Sequence, residues 1–165
     1  QISWKIAFKM KTHNIFNIED FKSNTGSNSR LLGIDHGSKN IGIAICDENQ
    51  VIATPLTTLH RTKFENLLKE IKEIISENNI KGIVIGNPIN MDGSLSKSSQ
   101  SANDFSKNLS KYITIPITMW DERLSSEASF KITKDLGINT SKRVKNLDKN
   151  AAAFILQGAI DFMSN

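Results

Sequence analysis

Residues 31–47 read LLGIDHGSKNIGIAICD, and this stretch decides the architecture. Leu31–Asp35 is a short apolar run that ends on an acid, Gly37-Ser38-Lys39 is a turn, and Ile41–Asp47 is a second apolar run with Gly42 inside it. Two apolar runs joined by a short glycine-containing turn predict an antiparallel hairpin. Glu48-Asn49 turns the chain again into Val51–Leu59, which makes a three-stranded meander. Beyond it the period changes. Lys63–Asn78 sets Phe64, Leu67, Leu68, Ile71, Ile74 and Ile75 on one stripe of a helix, and Thr62 and Glu65 have the spacing of a capping box. Ile83–Ile85 reads as a short buried strand between Gly82 and Gly86. The polar loop Asn87–Ser94, a helix over Ser99–Leu109 and a strand over Ile113–Trp120 follow. A helix over Ser125–Leu136, a basic loop over Gly137–Asn146 and a last helix from about Leu147 to Met163 complete the chain. The expected fold is α/β, with a mixed sheet of about five strands, three antiparallel and then two parallel, flanked by helices.

Residues 1–30 read as an N-terminal extension, and 31–165 as a single domain of ordinary size. Within the extension, Ser23–Ser29 is small and polar, a composition suited to a flexible linker. The run Ile2–Phe8 is apolar but short, is interrupted by Lys5 and is followed by no small-residue cleavage site, so a secretory signal is not expected. No apolar run reaches transmembrane length, and no membrane partner is expected. Cys46 is the sole cysteine, which precludes an intrachain disulfide and suits a reducing, cytoplasmic setting. Of the formal net charge of +4, residues 1–30 carry +3, with five basic residues against two acidic ones. Overall basicity is therefore a weak pointer to nucleic acid. The local cluster Lys142, Arg143, Lys145 and Lys149, beside Asp148, is a better one, because positive charge next to a carboxylate suits an anionic polymer led to a metal. A solvated basic loop fits the same composition.

Three acids stand out by position. Asp35 ends an apolar strand between glycines, Glu122 follows a strand with Asp121 beside it, and Asp148 lies on the last helix, in DKNAAAFILQ. Each has an ordinary reading: a turn acid, a helix-capping acid, an exposed first-turn acid. Together they are carboxylates arriving from separate elements, the oxygen donor set that a hard Mg²⁺ or Mn²⁺ ion takes. In a two-metal arrangement Asp35 would be shared by both ions, Glu122 would hold one and Asp148 the other, with Asp121 as a further candidate beside them. Lys39, Asn90, Arg123, Arg143 and Lys145 are candidate contacts to nucleic acid. Arg123 has a second option, pairing with a neighbouring carboxylate. His13, His36 and His60 have no zinc-ligand spacing with Cys46 or with one another, and no phosphate-binding loop of the Gly-x-x-x-x-Gly-Lys type occurs.

The order of these motifs resembles the YqgF family, whose members are described as Holliday junction resolvases and as pre-16S rRNA nucleases. Gly33-Ile34-Asp35-His36-Gly37-Ser38-Lys39 is similar to the family's first-strand signature. Gly86–Gly93 is similar to its central loop, and Asp121-Glu122-Arg123-Leu124-Ser125 and Asp148-Lys149-Asn150-Ala151-Ala152 to its later acidic motifs. The resemblance covers about Leu31–Asp161. It implies an RNase H-like fold, catalytic and metal-binding acids at Asp35, Glu122 and Asp148, and phosphodiester hydrolysis in maturation of the 5′ end of pre-16S ribosomal RNA. Ribosomal precursor particles would then be partners of a monomer or homodimer. Two other functions compete: resolution of four-way DNA junctions, and a non-catalytic nucleic-acid-binding module on the same scaffold. Asn40 departs from the pattern, standing where a second basic residue often follows Lys39.

Overall fold

The computed structural model describes residues 14–124 and 150–164. Its elements are β1 (Ile15–Phe16), α1 (Ile18–Thr25), β2 (Arg30–His36), β3 (Asn40–Cys46), β4 (Ala53–His60), α2 (Phe64–Glu77), β5 (Ile80–Asn87), α3 (Lys97–Tyr112), β6 (Ile117–Asp121), a 3₁₀ turn (Glu122–Leu124) and α4 (Ala151–Met163). The sheet has six strands in the order β1-β6-β5-β2-β3-β4. The meander β2–β3–β4 is antiparallel, and β5, β6 and β1 extend it in parallel from β2.

The sheet carries helices on both faces, and side-chain alternation along the strands sorts the core into two layers. Leu31, Ala44, Val84 and Trp120 pack with α4 and with Phe21 of α1. Leu32, Ile34, Ile43, Ile83, Ile85 and Ile117 pack with Leu67 and Ile71 of α2 and with Phe105 and Leu109 of α3. The predicted stripe of the Lys63–Asn78 helix is therefore the face that α2 buries. Gly33 serves this packing: a Cβ there would lie 2.7 Å from Leu156 Cβ and 3.0 Å from the Ala152 carbonyl oxygen. Its missing side chain lets α4 close onto β2.

Several expectations are corrected. The sheet has a sixth strand, because Ile15 and Phe16 pair with Ile117 and Thr118. Asn14 holds that strand, its Nδ2 donating to the carbonyls of Ile113 (2.7 Å) and Ile115 (3.0 Å) and its Oδ1 accepting from Ser110 Oγ (2.6 Å). The polar Ser23–Ser29 segment is the end of α1 and a capped turn, with Gly26 at positive φ and Ser29 buried. Phe21 of the same helix is fully buried. The capping box at Thr62 and Glu65 does not form; the N-cap of α2 is Lys63 and makes no side-chain cap bond. The third strand begins at Ala53, not Val51, because the Asp47 carboxylate takes the N–H groups of Val51 and Ile52. The last helix begins at Ala151 rather than Leu147, capped by Asn150 Oδ1 accepting from Ala153 N (3.0 Å), so Asp148 precedes the helix instead of lying on it. The helix expected at Ser125–Leu136 and the loop at Gly137–Asn146 lie outside the described residues.

Candidate active site

Asp35 is the penultimate residue of β2 and pairs with Gly42 of β3. Alternation sets it on the α4 face, with Leu31 and Gly33. A Cβ on Gly42 would stand 3.6 Å from Asp35 Cβ and 3.4 Å from Ala152 Cβ, so the carboxylate leaves the sheet beside the first turn of α4. Glu122 follows the end of β6 on that same face. Between β2 and β6 runs β5, and there Gly86 keeps the surface open: a Cβ on Gly86 would meet the Ile155 side chain and lie 3.2 Å from Glu122 Oε2. Two strand ends separated by a bare glycine thus bring two carboxylates together under the start of α4.

The electrostatics match this placement. Burial raises the pKa of Asp35 above the ordinary carboxylate range. Glu122 is raised first by burial, then by the negative charge of Asp35, then by that of Asp121. Among the described residues neither carboxylate has a hydrogen bond or ion pair. Two half-buried acids that repel each other and lack a compensating cation are unfavourable by themselves, and their oxygens are the donors a hard divalent ion takes. The donor chemistry therefore fits Mg²⁺ or Mn²⁺. The described residues contain no group of three or more candidate metal ligands, and the third expected acid, Asp148, lies outside them, as do Arg143 and Lys145.

Asp121 is committed elsewhere. Its carboxylate takes a two-pronged bond from Arg123, Nε–Oδ1 at 3.0 Å and Nη2–Oδ2 at 2.7 Å, and this bond holds its pKa below the usual value. Arg123 is thus paired with a neighbouring carboxylate, and its Nη1 also reaches the Asn90 carbonyl (3.5 Å). Asn90 Nδ2 donates to Ser94 Oγ (3.1 Å) and helps close the 88–96 loop. Lys39 is exposed in the β2–β3 turn, at the same sheet end as Asp35.

His36, next to Asp35, points the opposite way. Its ring stacks on Phe105 with centroids 4.5 Å apart. Burial, and secondarily the Arg61 charge, lower its pKa to about 4, so it is neutral at physiological pH. Cys46 is buried and accepts a bond from the Leu31 N–H; burial pushes its thiol up to about 11, an inert core residue. Two polar positions escaped the sequence reading. Asn87 Oδ1 accepts from Ser99 Oγ (2.6 Å), tying the loop after β5 to α3. Arg61 reaches the Gly37 and Ser38 carbonyls and Ser101 Oγ at 3.3–3.5 Å. The basic triplet Arg61-Thr62-Lys63 ahead of an amphipathic helix was the available signal for the second.

The family described as "RuvX: Holliday junction resolvase" matches residues 29–162. A Pelagibacter ubique (strain HTCC1062) protein named "Putative pre-16S rRNA nuclease" is 55% identical over 148 residues, 90% of this chain and 98% of its own length. A protein of the same name from Novosphingobium aromaticivorans is 41% identical over 155 residues, covering 94% of this chain and 97% of that one. Among solved structures, Thermus thermophilus RuvC superposes with a TM-score of 0.53 at 11% identity, over 82% of this chain and 95% of that one. The structural likeness bears on fold alone and agrees with the expected RNase H-like architecture. With the profile match spanning most of the chain and a relative more than half identical over nearly its whole length, the chain belongs to the RuvX (YqgF) family.

Proposed function

We propose that this protein is a divalent-cation-dependent nuclease that hydrolyses phosphodiester bonds, acting in the cytoplasm on the 5′ end of pre-16S ribosomal RNA. The observation that carries the reading is the pair Asp35 and Glu122, brought together across Gly86 with no compensating cation among the described residues. Asp35 and Glu122 would hold Mg²⁺ or Mn²⁺. Asp148 is proposed as the third ligand: it stands two residues before Asn150, the cap of the helix against which both acids sit, and a chain step spans about 3.8 Å. When bound, the ion supplies an acidified water and charge stabilisation for the leaving oxygen.

The chain's own residues do the rest. The acids fix the donor set from the end of β2 and from the 3₁₀ turn that directly follows β6, which is more accurate than presentation from a long loop. The Arg123–Asp121 pair, with Arg123 on the Asn90 carbonyl, holds the 88–96 loop against the start of the 3₁₀ turn that carries Glu122. Lys39, Arg143 and Lys145 are proposed as backbone contacts, which orient a strand without reading its sequence.

RNA is favoured because the relatives at 55% and 41% identity carry the rRNA nuclease name. The family's description as a Holliday junction resolvase favours a second substrate, the four-way DNA junction. Symmetric junction resolution requires two sites related by a two-fold axis, hence a dimer. The test is cleavage of end-labelled precursor-like RNA and of a four-way junction in Mn²⁺, with EDTA and Asp35→Asn as controls, alongside the oligomeric state in solution. Metal-dependent RNA cutting by a monomer supports RNA maturation; cutting confined to the junction by a dimer supports resolution. Nucleic-acid binding with no cutting of either substrate overturns the nuclease reading.

A further inference from the structure

The sheet end that carries Asp35 has a second side. Adjacent residues of a strand face opposite ways, so Asp35 faces α4 while His36 faces a cavity of about 430 Å³ between the start of α2 and the start of α3. That volume lies within the range of about 300–1,000 Å³ typical of ligand sites. The stacked rings of His36 and Phe105 line it, and Phe64 sits edge-on to Phe105 at 6.1 Å. Arg61, Lys97 and Gln100 also line it, with Asp104 the carboxylate among the lining residues.

Among the described residues the cations there are not neutralised. Arg61 bonds only neutral oxygens, at 3.3–3.5 Å. Among the described residues the ion pair present is Arg123–Asp121, so neither Arg61 nor Lys97 has a carboxylate partner within 4.0 Å. Lys97 also occupies the first turn of α3, where a cation opposes the helix dipole. Its placement costs the helix a little, and a bound anion would offset that cost.

Cations and aromatic rings lining one cavity, with an amide alongside, are the chemistry that takes a nucleotide: phosphate on the guanidinium and ammonium, base against the rings. We propose that this cavity binds one nucleotide of the substrate strand, next to the phosphate that the proposed cation site of Asp35 and Glu122 would cleave. Arg61 and Lys97 take its phosphate. The proposal rests on the nuclease reading for the identity of the strand, and on the cavity alone for the binding. Because β2 delivers Asp35 to one face and His36 to the other, a single strand crossing this sheet end engages both.

The experiment is fluorescence-anisotropy binding of a labelled single-stranded RNA in EDTA across a salt series. Wild type is compared with Arg61→Ala, Lys97→Glu and, as a control for net charge, Lys72→Glu, an exposed position two turns further along α2. Lys97 is exposed and Lys97→Glu leaves the fold intact even if loss of the Arg61 bonds loosens the β2–β3 turn. The expected result is affinity about tenfold weaker for each cavity variant and a salt slope reduced by about one. Lys72→Glu stays within about twofold of wild type. AMP competes only weakly with RNA; AMP binding as tight as the strand overturns the substrate-strand assignment. Cavity variants that bind RNA as Lys72→Glu does overturn the proposal, whether or not wild type cuts RNA in Mn²⁺. The expected losses in a wild type that binds but never cuts sustain the cavity and remove the nuclease reading. Wild type that binds no RNA overturns the cavity proposal and leaves the nuclease reading to the cleavage test.

Discussion

Asp35 and Glu122 are each raised in pKa by burial, and Glu122 also by Asp35. A carboxyl whose pKa is raised on folding holds its proton more tightly in the folded state. Stability from this source is intact below the unfolded pKa of about 4 and falls as the pH climbs through the raised value. Asp35→Asn and Glu122→Gln are therefore expected to stabilise the metal-free protein at neutral pH by about 0.5–2 kcal/mol. The gain disappears near pH 3, a contrast that urea unfolding at the two pH values checks. Gly33→Ala has the opposite sign: its Cβ would overlap Leu156 Cβ and the Ala152 carbonyl, and overpacking of this kind costs about 1–3 kcal/mol, read as a lower urea midpoint. At this scale the sequence was most informative for Asp35 and Glu122, since acids at the ends of apolar strands are unusual. It was less so for Arg123, whose pairing with Asp121 and phosphate contact were equally compatible with the residue pattern. His36 could not be oriented until the strand register fixed which residues face α4.

At the scale of elements, the long apolar periods were legible and the ends were not. The stripe of α2 and the β2–β3 hairpin follow from spacing alone. The start of α4 does not, because Leu147 and the alanines share an apolar character while the boundary is set by one polar side chain, Asn150, capping Ala153. Asn150→Ala is expected to cost about 1 kcal/mol, measurable by thermal unfolding. The N-terminal elements were masked by composition: α1 spans eight residues with a single buried side chain, Phe21. That side chain nevertheless joins the α4 layer of the core. Phe21→Ala is expected to lose about 3–5 kcal/mol, whereas a flexible appendage would show no change in urea midpoint.

For the whole molecule, strand order is what creates the site. Asp35 and Glu122 are far apart in sequence, and they meet because β5 alone separates β2 from β6 and ends at that point in Gly86-Asn87. The meander and the two later strands implied a mixed sheet. The crossovers that set neighbours came with the family resemblance, because spacing does not encode them. The same order turns Asp35 toward α4 and His36 toward the α2–α3 cavity, giving one sheet end two working sides. The central claim is that Asp35 and Glu122, and not the adjacent Asp121, form the cation site. Calorimetric titration of Mn²⁺ into wild type, Asp35→Asn, Glu122→Gln and Asp121→Asn tests it most directly. The account predicts binding in wild type and Asp121→Asn and its loss in the other two; wild-type affinity retained in Asp35→Asn and Glu122→Gln, with loss in Asp121→Asn, would contradict it.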